Sequence, residues 1–221
     1  MSKRVAIFGA TGRTGKHLVQ QVIDRDMIPV CLVRDKSRVI KVSGEKPVVV
    51  IGSPLEYQDV QTTIDGCDYI LVALNISRKS DWPWSKVVSP GYLLDKSMKN
   101  IVQAMKERKL RRVITVSAWG AGESYQEVNW LFRFLINKTN VGIAYAGHKD
   151  QERVLRQSKL DWTSVRPVGL NNNDQHREIL VRINKEDPLK MTISRKDVAK
   201  FMLDILDNKQ YFCNYPAISN K

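Results

Sequence analysis

No stretch of the 221-residue chain approaches the run of about eighteen apolar residues that a membrane-spanning helix needs. The start, MSKRVAIFGA, passes directly into a strand pattern, without the apolar core and small-residue cleavage site of a secretory signal. The three cysteines, Cys31, Cys67 and Cys213, are odd in number, far apart and without CxxC spacing, so neither a disulfide framework nor a zinc site is implied. No metal is expected. Repeats, low-complexity tracts and linkers are also lacking, and residues 1–221 are expected to form one domain. Together these absences imply a soluble, cytoplasmic chain with reduced thiols.

Acidic residues are in deficit: 36 Lys and Arg face 23 Asp and Glu, a formal net charge of +13. A basic protein gains affinity for nucleic acid by releasing counterions, but the cations here are spread along the chain. The densest cluster, KERKLRR at 106–112, falls at the expected C-terminal end of a helix, where cations complement the dipole. Zinc-finger spacing and RNA-recognition aromatic motifs are missing. The expectation is a solvated basic surface with an anionic small ligand and no dedicated nucleic-acid site.

What is present is an alternation of short apolar runs with helical patterns, the signature of βαβ units and a parallel sheet. Strands are expected at 4–8, 29–33, 47–51, 69–74, 112–117 and 162–165. A helix over 15–25 carries Leu18, Val19, Val22 and Ile23 on one face. Ser89 and Pro90 read as the N-cap and first turn of a second helix running to about residue 108, with Leu93, Leu94, Met98, Ile101, Val102 and Met105 as its core stripe. Ser194 and Asp197 resemble a capping box that opens a third, with Val198, Phe201, Met202, Ile205 and Leu206 at helical spacing. The expected fold is α/β, a Rossmann-like doubly wound parallel sheet with small C-terminal elements on the substrate side.

Between the first strand and first helix lies FGATGRTG, which places Gly9, Gly12 and Gly15 where backbone N–H groups can approach a pyrophosphate at a helix N-terminus. No GK[ST] stands in P-loop register. The second strand ends in Arg34, followed by Asp35, Ser37 and Arg38. Two guanidiniums and a hydroxyl suit the 2′-phosphate of NADP, because Arg forks match phosphate oxygens. Asp35 suits a free ribose instead, and is expected to point away because Arg34 holds the strand-end position.

AIFGATGRTG, LVRDKSRV, NIVQAMKERKLRRVITVSA, HKDQERVLRQSKLDWTSVRP and ISRKDVAKFML carry a resemblance that spans nearly the whole chain. By these segments the protein resembles the atypical short-chain dehydrogenases/reductases of the NAD(P)-binding, NmrA-like group, and within it the flavin and biliverdin reductases. That group also includes quinone reductases and NADP-binding regulators that catalyse nothing. The resemblance implies Thr11, Gly12, Arg13 and Thr14 on the pyrophosphate and Arg34, Ser37 and Arg38 on the 2′-phosphate. It implies Ser53, Pro54 and Leu55 beside the adenine, Ala73, Leu74 and Asn75 near the riboses, and Ser117 and Ala118 near the nicotinamide. His148 would lie close to the cofactor, and Pro167, Val168 and Gly169 would form the nicotinamide floor. Two departures stand out: Gly52-Ser53 replaces the usual Gly-Asp, and the histidine that the flavin reductase carries in the 167–169 segment is missing.

Tyr145 and Lys149 stand in YxxxK register and, with Ser117, are candidates for a proton-donating Ser, Tyr, Lys group. Aligned without gaps, however, the family's lysine column falls nearer His148. Flavin reduction needs little acid catalysis, since it depends on holding nicotinamide and acceptor face to face. Aromatic residues cluster in 77–89, with Trp82 and Trp84, and in 119–140, with Tyr125, Trp130, Phe132 and Phe134. They suit either stacking on a planar acceptor or, for 130–136, an amphipathic helix packed on the core. The expected activity is NADPH-dependent hydride transfer to a flavin, quinone, biliverdin or similar planar acceptor, by a monomer or weak dimer without a membrane partner. The alternatives are an NADP(H)-binding sensor and a Ser/Tyr/Lys carbonyl reductase.

Overall fold

Alternate residues of the first strand, β1 (Arg4–Phe8), enter opposite layers: Val5 and Ile7 join one apolar cluster, Ala6 and Phe8 the other. The computed structural model describes residues 2–35, 37, 42–183 and 189–221. After β1 come α1 (Gly15–Ile23), β2 (Ile28–Val33), β3 (Val48–Ile51), α2 (Tyr57–Ile64), β4 (Tyr69–Val72) and α3 (Leu93–Glu107). The chain continues through β5 (Arg112–Val116), α4 (Trp130–Lys138), α5 (Val141–Arg156), β6 (Asp161–Pro167) and β7 (Gly169–Asn171). It ends with β8 (Ile179–Arg182), β9 (Thr192–Ser194), α6 (Arg195–Asp204) and β10 (Ala217–Asn220).

The main sheet has the order β3-β2-β1-β4-β5-β6-β10-β8, parallel up to β10, with β8 antiparallel at the edge. β7 and β9 form a separate two-stranded parallel sheet. This is the Rossmann-like doubly wound arrangement. Its central strands are buried along nearly their whole length because helices cover both faces. Leu18, Val19 and Val22 of α1 and Val198, Phe201 and Met202 of α6 cover one. Val60 and Ile64 of α2, Met98, Ile101 and Met105 of α3 and Leu155 of α5 cover the other. Fully burying each such side chain contributes about 1.5–3 kcal/mol.

The six expected strands form with small shifts at their ends. The second expected helix starts later, because the Ser89 hydroxyl accepts the Ser77 backbone N–H at 2.8 Å and so caps a loop; α3 begins at Leu93, whose N–H donates to the Pro90 carbonyl. Ser194 does cap α6, accepting the Asp197 N–H at 2.9 Å. The basic cluster is not simply a solvated surface. Arg112 is 6% exposed and donates to the carbonyls of Ile205 and Leu206, closing the C-terminus of α6. Its guanidinium also lies 4.4 Å from the centre of the Phe212 ring.

Two buried contacts fix α5 against the sheet. Gln151 donates to Thr115 Oγ1 on β5, and Glu152 accepts two hydrogen bonds from Arg166 and one from Ser164 on β6. Removing either member of the Arg166–Glu152 pair would strand a buried charge, at a cost of about 3–5 kcal/mol. No helix among the described residues is long and apolar enough to cross a membrane, and no group of three His, Cys, Asp or Glu among them is placed to hold a metal.

Candidate functional site

Strand order reverses between β1 and β4, which opens a crevice at the carboxyl ends of the strands. The glycine-rich turn lies at its mouth. Gly9 has φ +89° and passes so close to β4 that a Cβ on it would stand 2.6 Å from the Ala73 carbonyl oxygen. Gly12 closes the turn by donating to the Gly9 carbonyl at 2.9 Å. Thr14, at the N-cap of α1, makes no side-chain capping hydrogen bond, and the first turn of α1 holds no acidic residue. A helix start left open in this way suits an anion.

Arg13 is exposed and forks onto Asp81 at 2.8 and 2.9 Å, tying the turn to the 77–89 segment. Arg34 is exposed at the end of β2. Asp35 accepts the backbone N–H and the hydroxyl of Ser37 at 2.9 and 2.7 Å, so its carboxylate organises the turn. Arg38 lies outside the described residues. After β3, Asp59 accepts the Ser53 N–H at 2.8 Å, and the Ser53 hydroxyl in turn accepts the Leu55 N–H. Pro54 is buried, and the carbonyls of Pro54 and Leu55 accept from Asn100 on α3. The departure from Gly-Asp thus brings in a carboxylate six positions later. Ala73 and Leu74 are half-buried beyond β4, with Asn75 exposed and turned back on the Ile76 N–H.

The far end of the crevice is polar and buried. Ser117 and His148 are each 3% exposed, and Ser117 Oγ, His148 Nδ1 and Trp119 Nε1 have no hydrogen-bond partner among the described residues. Backbone bonds from Ser117 N to Val165 O and from Trp119 N to Pro167 O lock the ends of β5 and β6 together. Ala118 is half-buried there, Val168 is buried, and Gly169 donates to Met191 O at the start of the small sheet. Since buried polar groups are nearly always paired, three orphans in one region point to a ligand. Burial pushes His148 down to about 4, with Glu152 opposing weakly, so its imidazole is neutral at pH 7.

The Tyr145 hydroxyl donates at a long 3.5 Å to Trp119 O, and its ring meets Phe132 edge-on at 5.9 Å. Burial alone raises its phenol to about 12. Lys149, one turn along α5, is exposed. α4 does not pack as a core helix: none of its residues is buried, and Trp130 is 78% exposed, with Leu131 and Phe134 also outward. Trp82 and Trp84 are exposed and packed on each other, their ring centres 5.5 Å apart.

Arg195 is not singled out by the sequence, and Asp81 and Trp119 enter only as members of the segments 77–89 and 119–140. Arg195 lies inside ISRKDVAKFML, where the capping box explained Ser194 and Asp197 and left the arginine between them unread.

The open helix start, the close approach of Gly9 to β4 and the buried orphans are features that fit a dinucleotide. A family described as NAD(P)H-binding matches residues 9–209. Similar proteins include an uncharacterised chloroplastic protein of Arabidopsis thaliana, 26% identical over 93% of this chain and 72% of that one. An uncharacterised sugar epimerase of Bacillus subtilis is also 26% identical, over 93% of this chain and 89% of its own. Among solved structures, a short-chain dehydrogenase/reductase from Veillonella parvula in complex with NADP has a TM-score of 0.80 at 22% identity, covering 100% of this chain and 95% of that one. An anaerobillin reductase from Escherichia coli has a TM-score of 0.75 at 17% identity, covering 99% and 97%. These likenesses establish the shared fold.

Proposed function

The chain belongs to the NAD(P)H-binding family, and from that premise we propose that it is an NADPH-dependent reductase of planar acceptors such as flavins, quinones or bilin-type tetrapyrroles. Bound NADPH would supply a hydride, and the acceptor would take it up together with one proton from solvent. The observation that carries this reading is the set of buried polar groups without a partner among the described residues, Ser117 Oγ, Trp119 Nε1 and His148 Nδ1, at what would be the nicotinamide end of the crevice. They supply hydrogen bonds to orient ring nitrogens or carbonyl oxygens, and orientation is what hydride transfer needs.

Arg34, Ser37 and Arg38 favour the 2′-phosphate form of the cofactor. Tyr145 is not primed as an acid, since nothing offsets the effect of burial on its phenol. The anaerobillin reductase among the structural neighbours supports an extended conjugated acceptor. The test is NADPH oxidation followed against flavins, quinones, biliverdin and dyes. Turnover with at least one of these is expected; absence of turnover across the panel with NADPH bound would favour a sensor.

A further inference from the structure

Arg195, the first residue of α6, is 7% exposed yet makes one side-chain hydrogen bond among the described residues, from Nη1 to Asn172 Oδ1 at 2.6 Å. No carboxylate pairs with it among the described residues. The guanidinium has one neutral partner, which leaves most of its five donors for an incoming anion. Its position is informative. The start of α6 lies against α1: Gln21, in the last turn of α1, donates to the Lys196 carbonyl at 2.9 Å, and Arg195 is within electrostatic reach of His17 in the first turn and of Arg13 before it. Asn172 directly follows β7, beyond the expected nicotinamide floor.

A carboxylate already reaches this region. Asp81, on the segment after β4, takes both prongs of Arg13 and lies within electrostatic reach of Arg195 and Arg78; with Arg13 leading, these cations hold its carboxyl below the usual range. The Arg13–Asp81 pair is 54% and 77% exposed, and an exposed pair holds only weakly, by about 1 kcal/mol or less. A dianionic phosphate or a carboxylate fixed to a bound molecule outcompetes it easily.

We propose that Arg13 and Arg195 form an anion subsite, capped by Asp81 when empty, that receives a phosphate or carboxylate carried on an arm of the planar acceptor. This rests on the reductase reading and narrows it: neutral acceptors are the poorer ligands. The same chemistry can come from the cofactor pyrophosphate, and the experiment separates the two sources.

The probes are FMN and riboflavin, which share the isoalloxazine and differ by one phosphate. Binding of each to the protein saturated with NADP⁺ is measured by flavin fluorescence, independently of turnover. FMN is expected to bind about tenfold or more tighter than riboflavin, the worth of one or two charge-assisted hydrogen bonds. Arg195→Gln should collapse that ratio toward one. Asp81→Asn, at an exposed position that should not threaten folding, should raise it by removing the competing carboxylate. Equal binding of the two flavins, or a ratio untouched by both substitutions, overturns the subsite. So does a loss of NADP⁺ affinity in Arg195→Gln with the flavin ratio intact, which would give the arginine to the pyrophosphate. If the ratio responds as expected while NADPH reduces no acceptor of the panel of flavins, quinones, biliverdin and dyes, the subsite stands and the reductase reading falls.

Discussion

Gly15 lies so close to Gly9 that a Cβ on it would overlap the Gly9 carbonyl group. A Cβ on Gly12 would meet a single atom, Gly9 O at 3.1 Å, and otherwise point into open space. The three glycines of one motif therefore have different reasons to be glycine. Gly15 is demanded by the packing of the turn on its own helix; Gly12 is demanded only if something else occupies the space beside it.

The contrast predicts that Gly12→Val and Gly15→Ala fail differently. Gly12→Val should fold with little change in melting temperature and lose NADPH binding, because a branched side chain takes the pyrophosphate's place. Gly15→Ala should lose stability on the order of 3 kcal/mol, because backbone must move to admit one methyl. Thermal melts paired with NADPH titration check both. A folded Gly12→Val that binds normally would show that the open space is not the cofactor's.

Cofactor preference tests the second strand. Two charge-assisted contacts to the 2′-phosphate, each about 1.5–3 kcal/mol, should favour NADPH over NADH by about two to four orders of magnitude. Asp35 is engaged with Ser37, which leaves Arg34 as the charged group at the strand end. The double variant Arg34→Ala, Arg38→Ala should lose the preference and still bind NADH. Equal affinities in the unaltered protein would remove the phosphate cage.

The sheet was legible because its central strands, VAIF, YILV and VITV, are covered on both faces and so carry runs interrupted by polar residues only at Thr115 and the Tyr69 hydroxyl. The glycine turn was legible from its place between such a run and an amphipathic helix. The small sheet was not: Gly169–Asn171 and Thr192–Ser194 are three-residue strands joined across more than twenty positions, too short for any periodicity. Ser89-Pro90 misled because serine caps loops as readily as helices, and only the Ser77 N–H opposite decides between them. Ser117 and His148 emerged from resemblance, but their lack of partners is a property of the fold. The buried pair Arg166–Glu152 lies fourteen residues apart on two elements, a separation that sequence spacing does not encode.

His148 predicts a pH dependence with a definite sign. Its folded-state pKa is lowered to about 4 by burial, against 6.5 for the exposed side chain. Between these values the unfolded chain binds a proton that the folded one does not, so stability falls as pH drops from about 6.5 and the loss is complete below about 4. The full contribution is on the order of 3 kcal/mol. Denaturant melts across this range should show the slope, and His148→Asn should flatten it. An equally steep slope in the variant would place the titration elsewhere.

Tyr145 separates positioning from proton donation. Its hydroxyl reaches only the Trp119 carbonyl, at 3.5 Å, while its ring keeps the Phe132 contact whether or not the oxygen is present. Tyr145→Phe should therefore cost less than about 1 kcal/mol of stability. Its kinetic effect depends on the chemistry. If the hydride goes to a flavin-like acceptor and the proton comes from solvent, the hydroxyl has no part in the transition state, and most turnover should survive. If the substrate is a carbonyl, the phenol must give up its proton as the oxyanion forms, and its loss should cost about two to four orders of magnitude. A phenol at about 12, with Lys149 turned to solvent, is a poor proton donor near neutral pH. The expected outcome is retention of turnover with NADPH affinity unchanged; a collapse of turnover at unchanged affinity would move the protein to the carbonyl reductases.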